Sequence, residues 1–172
     1  MEFHQLQKPI VRSAEAFEAA TILAQRLLVL LRHPTVQEQI VEAHQLGASS
    51  QMVQSTIFPA VSSLGFASEK KGLFDGYKVA ALRPDYYLPI LDTGIILEVE
   101  RGKTTTNNMD LLDLWKCHIC THAEYLFLLV PQARPSQNGT VMRHFRDVSR
   151  RLATFFIPGN YVNVDAVYIF GY

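Results

Sequence analysis

The amino-acid sequence predicts an α/β fold whose elements follow the order αβββαβ, then a further αβ unit, with two helices in front. Three observations carry this prediction. Residues 50–64 place apolar side chains at helical spacing, residues 77–101 contain two strand-like segments joined by a turn, and residues 125–130 form a wholly apolar strand. Helices that alternate with strands are typical of a sheet covered by helices.

Turn and capping residues divide the rest of the chain into short elements. Gly72 and Gly76 bound a predicted turn, residues 104–108 supply N-cap candidates for a helix, and Pro131 stops the apolar strand. After the third helix, the predicted elements are strands at residues 66–73, 77–91 and 95–101, a helix at 109–121, a strand at 125–130, a helix at 141–156 and a strand at 163–170.

The segment before residue 50 is predicted to contain helices at residues 14–32 and 35–46. The first helix includes a continuous apolar block, residues 27–31, which is wider than one buried face requires. We interpret residues 1–49 as a helical cap or a dimerisation segment on a core formed by residues 50–172. A separate helical module is less favoured because no linker rich in Gly, Ser or Pro marks a boundary, so one compact domain is expected.

Composition is consistent with one globular unit. The 172 residues are 48% hydrophobic and 19% charged, which is enough apolar surface for one substantial core. No apolar run is long enough to span a bilayer and the first residues do not resemble a signal peptide, so a cytoplasmic protein without a membrane partner is expected. The formal net charge is zero, so binding to a polyanion would need local positive potential.

The second and third predicted strands form a β-hairpin with Thr93-Gly94 as a two-residue turn. This register pairs Pro89 with Glu98. Because side chains alternate between faces, Asp85, Glu98 and Glu100 then share one face. A three-residue turn would move Asp85 to the opposite face. The other face is apolar and is expected to be the core, with Tyr86, Leu88, Ile90, Ile95, Leu97 and Val99.

Three carboxylates on one face repel each other unless a cation lies among them. Asp85 and Glu100 are diagonal neighbours in this register, with Cβ atoms roughly 7–8 Å apart. Ligands that are all oxygen favour Mg²⁺ or Mn²⁺ over zinc. The alternative interpretation is that Glu98 and Glu100 point to solvent from an edge strand, balanced by Arg101 and Lys103.

Pro84-Asp85, a gap of twelve residues and Glu98-Val99-Glu100 resemble the PD-(D/E)xK motif of restriction-endonuclease-like nucleases. The αβββαβ order over residues 50–170 is similar to the core of that superfamily, in which helices flank a mixed central sheet. The resemblance implies that Asp85 and Glu98 bind the catalytic Mg²⁺, with Mn²⁺ as a substitute. Glu100 stands where the commonest motif has lysine, as in enzymes of this kind that use Glu-x-Glu.

The glutamate at position 100 leaves open which residue activates water. Glu100 itself could act as a general base or bind a second metal ion. Lys103 could replace the missing lysine, and Lys116 on the following helix is another candidate. Asp113 and Lys116 are also explained by a plain salt bridge at i, i+3 spacing, which we favour.

Basic residues near the motif are expected to contact DNA phosphates. Four arginines, Arg143, Arg146, Arg150 and Arg151, recur at near-helical spacing, which fits an ordinary solvated helix face equally well. The predicted DNA-binding residues are Lys70, Lys71, Arg83, Arg101, Arg143 and Arg146.

The predicted helix at residues 109–121 contains two other features that could suggest a function. Cys117 and Cys120 are predicted to be buried thiols rather than zinc ligands, because no second pair of ligands exists in the sequence. The single tryptophan, Trp115, is expected to lie in the core.

The resemblance thus predicts a Mg²⁺-dependent DNA endonuclease, of the type II restriction or restriction-like kind, that acts as a homodimer. Repair, junction-resolving and transposon-encoded nucleases share the motif. The alternative is a non-catalytic nucleic-acid-binding or assembly protein that retains the fold, which the missing lysine favours. RNA is the least favoured substrate because the sequence contains no aromatic platform of the RNP type.

Overall fold

The computed structural model describes residues 1–44, 50–68, 72–79, 82–101, 104–135 and 141–172. The architecture is α/β, with a mixed six-stranded sheet and helices packed on both of its faces. The predicted α/β class and the mixed sheet flanked by helices are therefore confirmed.

The helices are α1 (Ala14–Leu31), α2 (Pro34–Ala43), α3 (Ser50–Ser63), α4 (Met109–Ile119) and α5 (His144–Ala153), and a 3₁₀ turn at Thr154–Phe156 follows α5. The strands are β1 (Glu2–Gln7), β2 (Ala67–Ser68), β3 (Tyr86–Ile90), β4 (Thr93–Val99), β5 (Tyr125–Val130), β6 (Arg134–Pro135), β7 (Val141–Met142) and β8 (Ala166–Gly171). No helix in the described ranges is both long enough and apolar enough to cross a membrane.

The six strands of the main sheet lie in the order β1-β8-β5-β4-β3-β2, while β6 and β7 form a separate two-stranded ribbon. Strands β4, β5 and β8 are parallel, and the remaining pairs are antiparallel. Every residue of β5 and β8 is buried, as expected for parallel strands that helices cover on both faces. Polar side chains with functional roles must therefore project from the ends of the strands or from the covering helices.

Two hydrophobic cores lie on the two faces of the sheet. The first packs α1, α2 and α3 against alternate residues such as Ile95, Leu97 and Phe127. The second packs α4 and α5 against the intervening residues, among them Ile96 and Leu128. Residues from before position 50 and after it thus contribute to the same first core.

Most predicted helices and the strands β4, β5 and β8 are confirmed to within a few residues. The long strand predicted at 77–91 is wrong, because among its described residues only Tyr86–Ile90 lie in a strand. Of the described residues in the strand predicted at 66–73, only Ala67–Ser68 pair with a neighbour. Strand β1 was not predicted. It lies at the edge of the sheet beside β8, where a short half-exposed strand carries little apolar pattern.

The β3–β4 hairpin forms, but its predicted register is wrong. Tyr87 pairs with Ile96 and Ile90 with Thr93, so the turn is Leu91-Asp92, two residues earlier than predicted. The shift is even, and every side chain therefore keeps its predicted face. The apolar face joins the first core as expected, whereas the acidic face is covered by α4 rather than by solvent.

The structure shows why Gly94 does not form the turn. A Cβ atom at this position would lie 2.4 Å from the ring of Tyr87, so the glycine makes room for that ring inside the hairpin. The hydroxyl of Tyr87 in turn donates to the backbone carbonyl of His122, 2.8 Å away. The packing of Tyr87 therefore sets the register, and the turn falls on Leu91, whose φ is +45°.

Replacing Leu91 by asparagine is expected to raise the free energy of unfolding by about 0.5–1 kcal/mol, because asparagine tolerates the left-handed conformation and leucine does not. Urea denaturation measures the change. Leu91→Ala is the matched control, since alanine removes the exposed side chain but keeps the backbone penalty. An equal gain in the alanine variant would contradict the conformational explanation.

Candidate active site

Asp85 and Glu98 meet at the end of the hairpin that lies farthest from the turn. The corrected register places Asp85 directly opposite Glu98, one position beyond the last residue pair of the hairpin. The backbone N–H of Val99 donates to Oδ2 of Asp85 at 2.9 Å, and the N–H of Asp85 donates to Oε2 of Glu98 at 3.2 Å. Each carboxylate is therefore held in place by the backbone of the opposite strand.

Helix α4 adds two more charged groups to this position. The ammonium of Lys116 donates to Oε1 of Glu98 and lies 2.8 Å from Oδ1 of Asp113. The side chains of Lys116, Glu98 and Asp113 are 7%, 5% and 0% exposed, so the ion pairs are shielded from water. The predicted i, i+3 salt bridge is confirmed, and Lys116 also reaches the hairpin.

Glu100 completes the group from the residue that follows β4. Its backbone N–H donates to the carbonyl of Leu129 at 2.8 Å, and its own carbonyl accepts from the Tyr172 hydroxyl at 2.6 Å. Burial and, second, the charge of Asp113 raise the pKa of its carboxyl group, so the two acids interact electrostatically. We call Asp85, Glu98, Glu100 and Asp113 the carboxylate cluster.

The carboxylate cluster holds four acidic groups around a single ammonium, and its pKa values reflect that excess. Burial, with the charge of Asp113 second, raises the pKa of Glu100 to about 8. Burial also raises the pKa of Asp113 to about 6, although Lys116 opposes the shift. Burial raises the pKa of Glu98 well above its usual value, and that of Asp85 rises for the same reason. At neutral pH the cluster therefore retains protons that exposed carboxyl groups would lose.

Helix α3 supplies one neighbour of Asp85 that the sequence analysis missed. The side chain of Gln54 lies near Asp85 and partly offsets the rise in the pKa of that carboxyl group, and the buried Val53 and Ile57 anchor the helix in the first core. The helical spacing of α3 was recognised from the sequence, but only the tertiary fold reveals which of its polar residues faces the hairpin.

The donor set fits a hard divalent cation chemically. All four acids offer oxygen ligands, and the excess of carboxylates over cations would be relieved by a bound metal ion. Within the described ranges, however, no three His, Cys, Asp or Glu side chains are arranged to hold a metal ion directly. The Lys116 ammonium lies between Glu98 and Asp113 instead. Asp85 and Glu98 remain the best candidates for metal ligands because they lie directly opposite each other, and Asp85 is only half-buried although Glu98 is buried.

Only some of the basic residues that were predicted to contact DNA lie in the part of the chain that the structure describes. Arg83 is exposed and Arg101 is half-buried, and they flank Asp85 and Glu100 in sequence. Three of the predicted site residues, Lys70, Lys71 and Lys103, lie outside the described residues.

The arginines of α5 do not act as one stripe. Arg146 is exposed and pairs with its neighbour Asp147 at 3.3 Å, and Arg143 is exposed just before the helix. Arg151 instead turns inward to the buried Asp110, 3.1 Å away. This arrangement resembles a mixed helix surface more than a continuous basic face.

Two predictions for α4 have opposite outcomes. Cys117 and Cys120 are buried thiols, as predicted. Trp115 is not a core residue, because 38% of it is exposed on the outer side of the helix. The apolar spacing of α4 predicts a helix but does not reveal that the segment around Tyr161 covers this side only incompletely.

Neither a search with protein-family models nor a comparison with curated proteins returned a match to this sequence. The geometry and chemistry of the carboxylate cluster are therefore the basis for a functional proposal.

Proposed function

We propose that this protein is a metal-dependent endonuclease that hydrolyses phosphodiester bonds in DNA, with a restriction-endonuclease-like core. The observation that carries the proposal is the meeting of Asp85, Glu98 and Glu100 with the ammonium of Lys116 at one end of the hairpin. The pattern of two acids and a lysine is the one that the PD-(D/E)xK resemblance leads us to expect.

The order and direction of the elements support the same proposal. Helix α3 precedes the antiparallel strands β2, β3 and β4, and helix α4 then leads to β5, which is parallel to β4. This is an αβββαβ order with helices on opposite faces of a mixed sheet. Strands β1 and β8 extend the sheet beyond that unit.

Asp85 and Glu98 would hold Mg²⁺, and Mn²⁺ as a substitute. When bound, the ion would stabilise the negative charge that develops on the scissile phosphate. Lys116, from α4 instead of β4, takes the place of the motif lysine, because its ammonium already contacts Glu98. Lys116 can neutralise Glu98 at rest and offer a hydrogen bond to a phosphate oxygen or to the attacking water.

Glu100 is suited to proton transfer near neutral pH. Burial and the Asp113 charge raise the pKa of Glu100 to about 8, so both of its protonation states are populated in the range where nucleases work. Its ionised form would accept a proton from the attacking water. Asp113, whose charge raises the pKa of Glu100, would favour the protonated form of that carboxyl group at rest.

DNA is proposed as the substrate because exposed Arg83 and half-buried Arg101 lie next to the cluster in sequence, where a phosphate backbone must approach. Cleavage of both strands of a duplex by one small chain is most simply achieved by two copies, and we therefore propose a homodimer.

The test is cleavage of duplex, branched and single-stranded DNA by the purified protein with Mg²⁺ or Mn²⁺, compared with EDTA. Glu98→Gln and Asp85→Asn are expected to reduce the rate about 100-fold or more. Asp92→Asn, which changes an exposed carboxylate in the turn of the same hairpin, should retain the full rate. Equal cleavage by the Glu98→Gln variant and the native protein would show that the activity arises elsewhere or from a contaminant.

A non-catalytic nucleic-acid-binding protein is the second candidate, because the ion pairs of Lys116 with Glu98 and Asp113 are also what a purely structural network would contain. Titration with Mn²⁺ separates the two proposals. Saturable binding that is lost in Asp85→Asn supports the nuclease, whereas DNA binding without saturable Mn²⁺ binding supports the alternative.

A further inference from the structure

We propose that a pocket beside α4 binds an uncharged heteroaromatic ring, the chemistry of an unstacked nucleobase. The pocket encloses about 350 Å³. Its size falls within the range of sites for small planar ligands. We call it the aromatic pocket, and it is lined by Leu111, Leu114, Trp115, His118, Phe155, Tyr161 and Val162. That the ligand is an uncharged heteroaromatic ring follows from the pocket itself. That this ring is a nucleobase rests on the proposed function.

Two aromatic side chains that line the pocket are partly exposed to solvent. Trp115 is 38% exposed and Tyr161 is 81% exposed. The Tyr161 ring meets the His118 ring edge to face, with centroids 6.1 Å apart and planes at 82°, so it has a defined position despite its exposure. Exposed aromatic surface of this extent is unfavourable in water, and a flat ring stacked on it would remove that surface from solvent.

His118 adds to the pocket a polar group whose donor nitrogen can be assigned. Its Nδ1 accepts a hydrogen bond from the backbone N–H of Asn163 at 2.8 Å. A nitrogen that accepts carries no proton, so in the neutral imidazole the proton is on Nε2, which is a donor. The other lining residues carry no charge. The matching ligand is therefore a neutral ring with a nitrogen or carbonyl acceptor, and neither a phosphate nor an aliphatic chain meets both requirements.

The aromatic pocket is tied to the carboxylate cluster through one rigid element. Helix α4 directs Asp113 and Lys116 toward the sheet, while Trp115 and His118 line the pocket on another side of the same helix. A nucleic acid bound at the cluster could thus place an unpaired base near α4, and stacking of such a base on aromatic side chains is a common mode of single-strand recognition.

Fluorescence provides a direct test because Trp115 is the only tryptophan in the chain. Adenosine and a short single-stranded oligodeoxynucleotide are titrated into the protein in EDTA. Saturable quenching is expected with adenosine, and tighter saturation with the oligonucleotide would identify a base within a nucleic acid as the ligand. Saturation with adenosine alone would identify a free nucleoside. No saturable change with either probe would overturn the proposal.

Variants distinguish the pocket from adventitious stacking on Trp115. Tyr161→Ala is expected to weaken binding about 5- to 100-fold. His118→Phe keeps a ring against Tyr161 but removes the donor, and it should weaken binding as well. Leu112→Ala alters an exposed apolar residue of α4 outside the pocket and should leave the affinity unchanged. Unchanged affinity in Tyr161→Ala would also refute the proposal.

The fluorescence titration tests the aromatic pocket independently of the proposed nuclease function. Binding is measured in EDTA, where no metal-dependent cleavage occurs, so a catalytically inactive protein can still bind the probe. Conversely, an active nuclease whose Trp115 fluorescence does not respond would disprove the aromatic pocket alone.

Discussion

Replacing Lys116 by methionine is expected to lower the free energy of unfolding by about 3–5 kcal/mol near neutral pH. Methionine keeps the unbranched apolar part of the side chain, but it leaves Glu98 and Asp113 buried without the ammonium that both now contact. Part of the loss should disappear in mild acid, because the two carboxyl groups can then take up protons. Urea denaturation monitored by circular dichroism measures both values.

Two further variants show whether the loss arises from unpaired carboxylates. Adding Glu98→Gln to Lys116→Met removes one of the stranded charges and should restore part of the stability. Lys78→Met, which changes an exposed lysine, should have little effect. If Lys116→Met were no less stable than Lys78→Met, the ion pairs would contribute nothing to the fold.

The stability of the protein is expected to fall as the pH rises from about 4.5 to about 8. Burial raises the pKa of Glu100 from 4.5 to about 8 and that of Asp113 from 3.8 to about 6, so in this range the folded chain retains protons that the unfolded chain releases. The free energy of unfolding then decreases with pH, by at most about 1.4 kcal/mol per pH unit for each such proton. Above the folded pKa of Glu100 this decline should level off.

Glu100→Gln should flatten the decline between about pH 6 and pH 8, where Glu100 is the group expected to exchange its proton. Glu18→Gln, at an exposed position on α1, should leave the profile unchanged. If the cluster binds metal, Mg²⁺ should raise the stability most at the alkaline end, since it competes with protons for the same oxygens. If the free energy of unfolding of the native protein rose toward pH 8, the folded chain would not be retaining these protons.

Sequence patterns predicted which residues share a face of the hairpin better than they predicted the register of its strands. Because face alternation has a period of two, Asp85, Glu98 and Glu100 were grouped correctly although the turn was misplaced. The position of the turn depends on the ring of Tyr87 against Gly94, a contact between residues that no local rule connects. Short-range periodicity thus determined the face, and tertiary packing determined the register.

The residues that contact the acidic face of the hairpin could be identified only from the tertiary fold. The i, i+3 spacing of Asp113 and Lys116 was visible in the sequence, yet it is the packing of α4 on β4 that brings Lys116 to Glu98. The position of Gln54 near Asp85 likewise depends on how α3 lies across the hairpin. Trp115 was assigned to the core because hydrophobicity alone does not show whether a helix face is fully covered.

The gap of twelve residues between Asp85 and Glu98 equals the number of residues in the hairpin that separates them. Five residues of β3, five of β4 and the two-residue turn account for the whole gap, so the two acids face each other with no residue to spare. Inserting one residue in the turn would break this match and favour moving one acid to the opposite face. Inserting two would keep both acids on the same face but offset them along the strands. The spacing of the motif is therefore a physical length, set by the number of residue pairs that separate the acids from the turn.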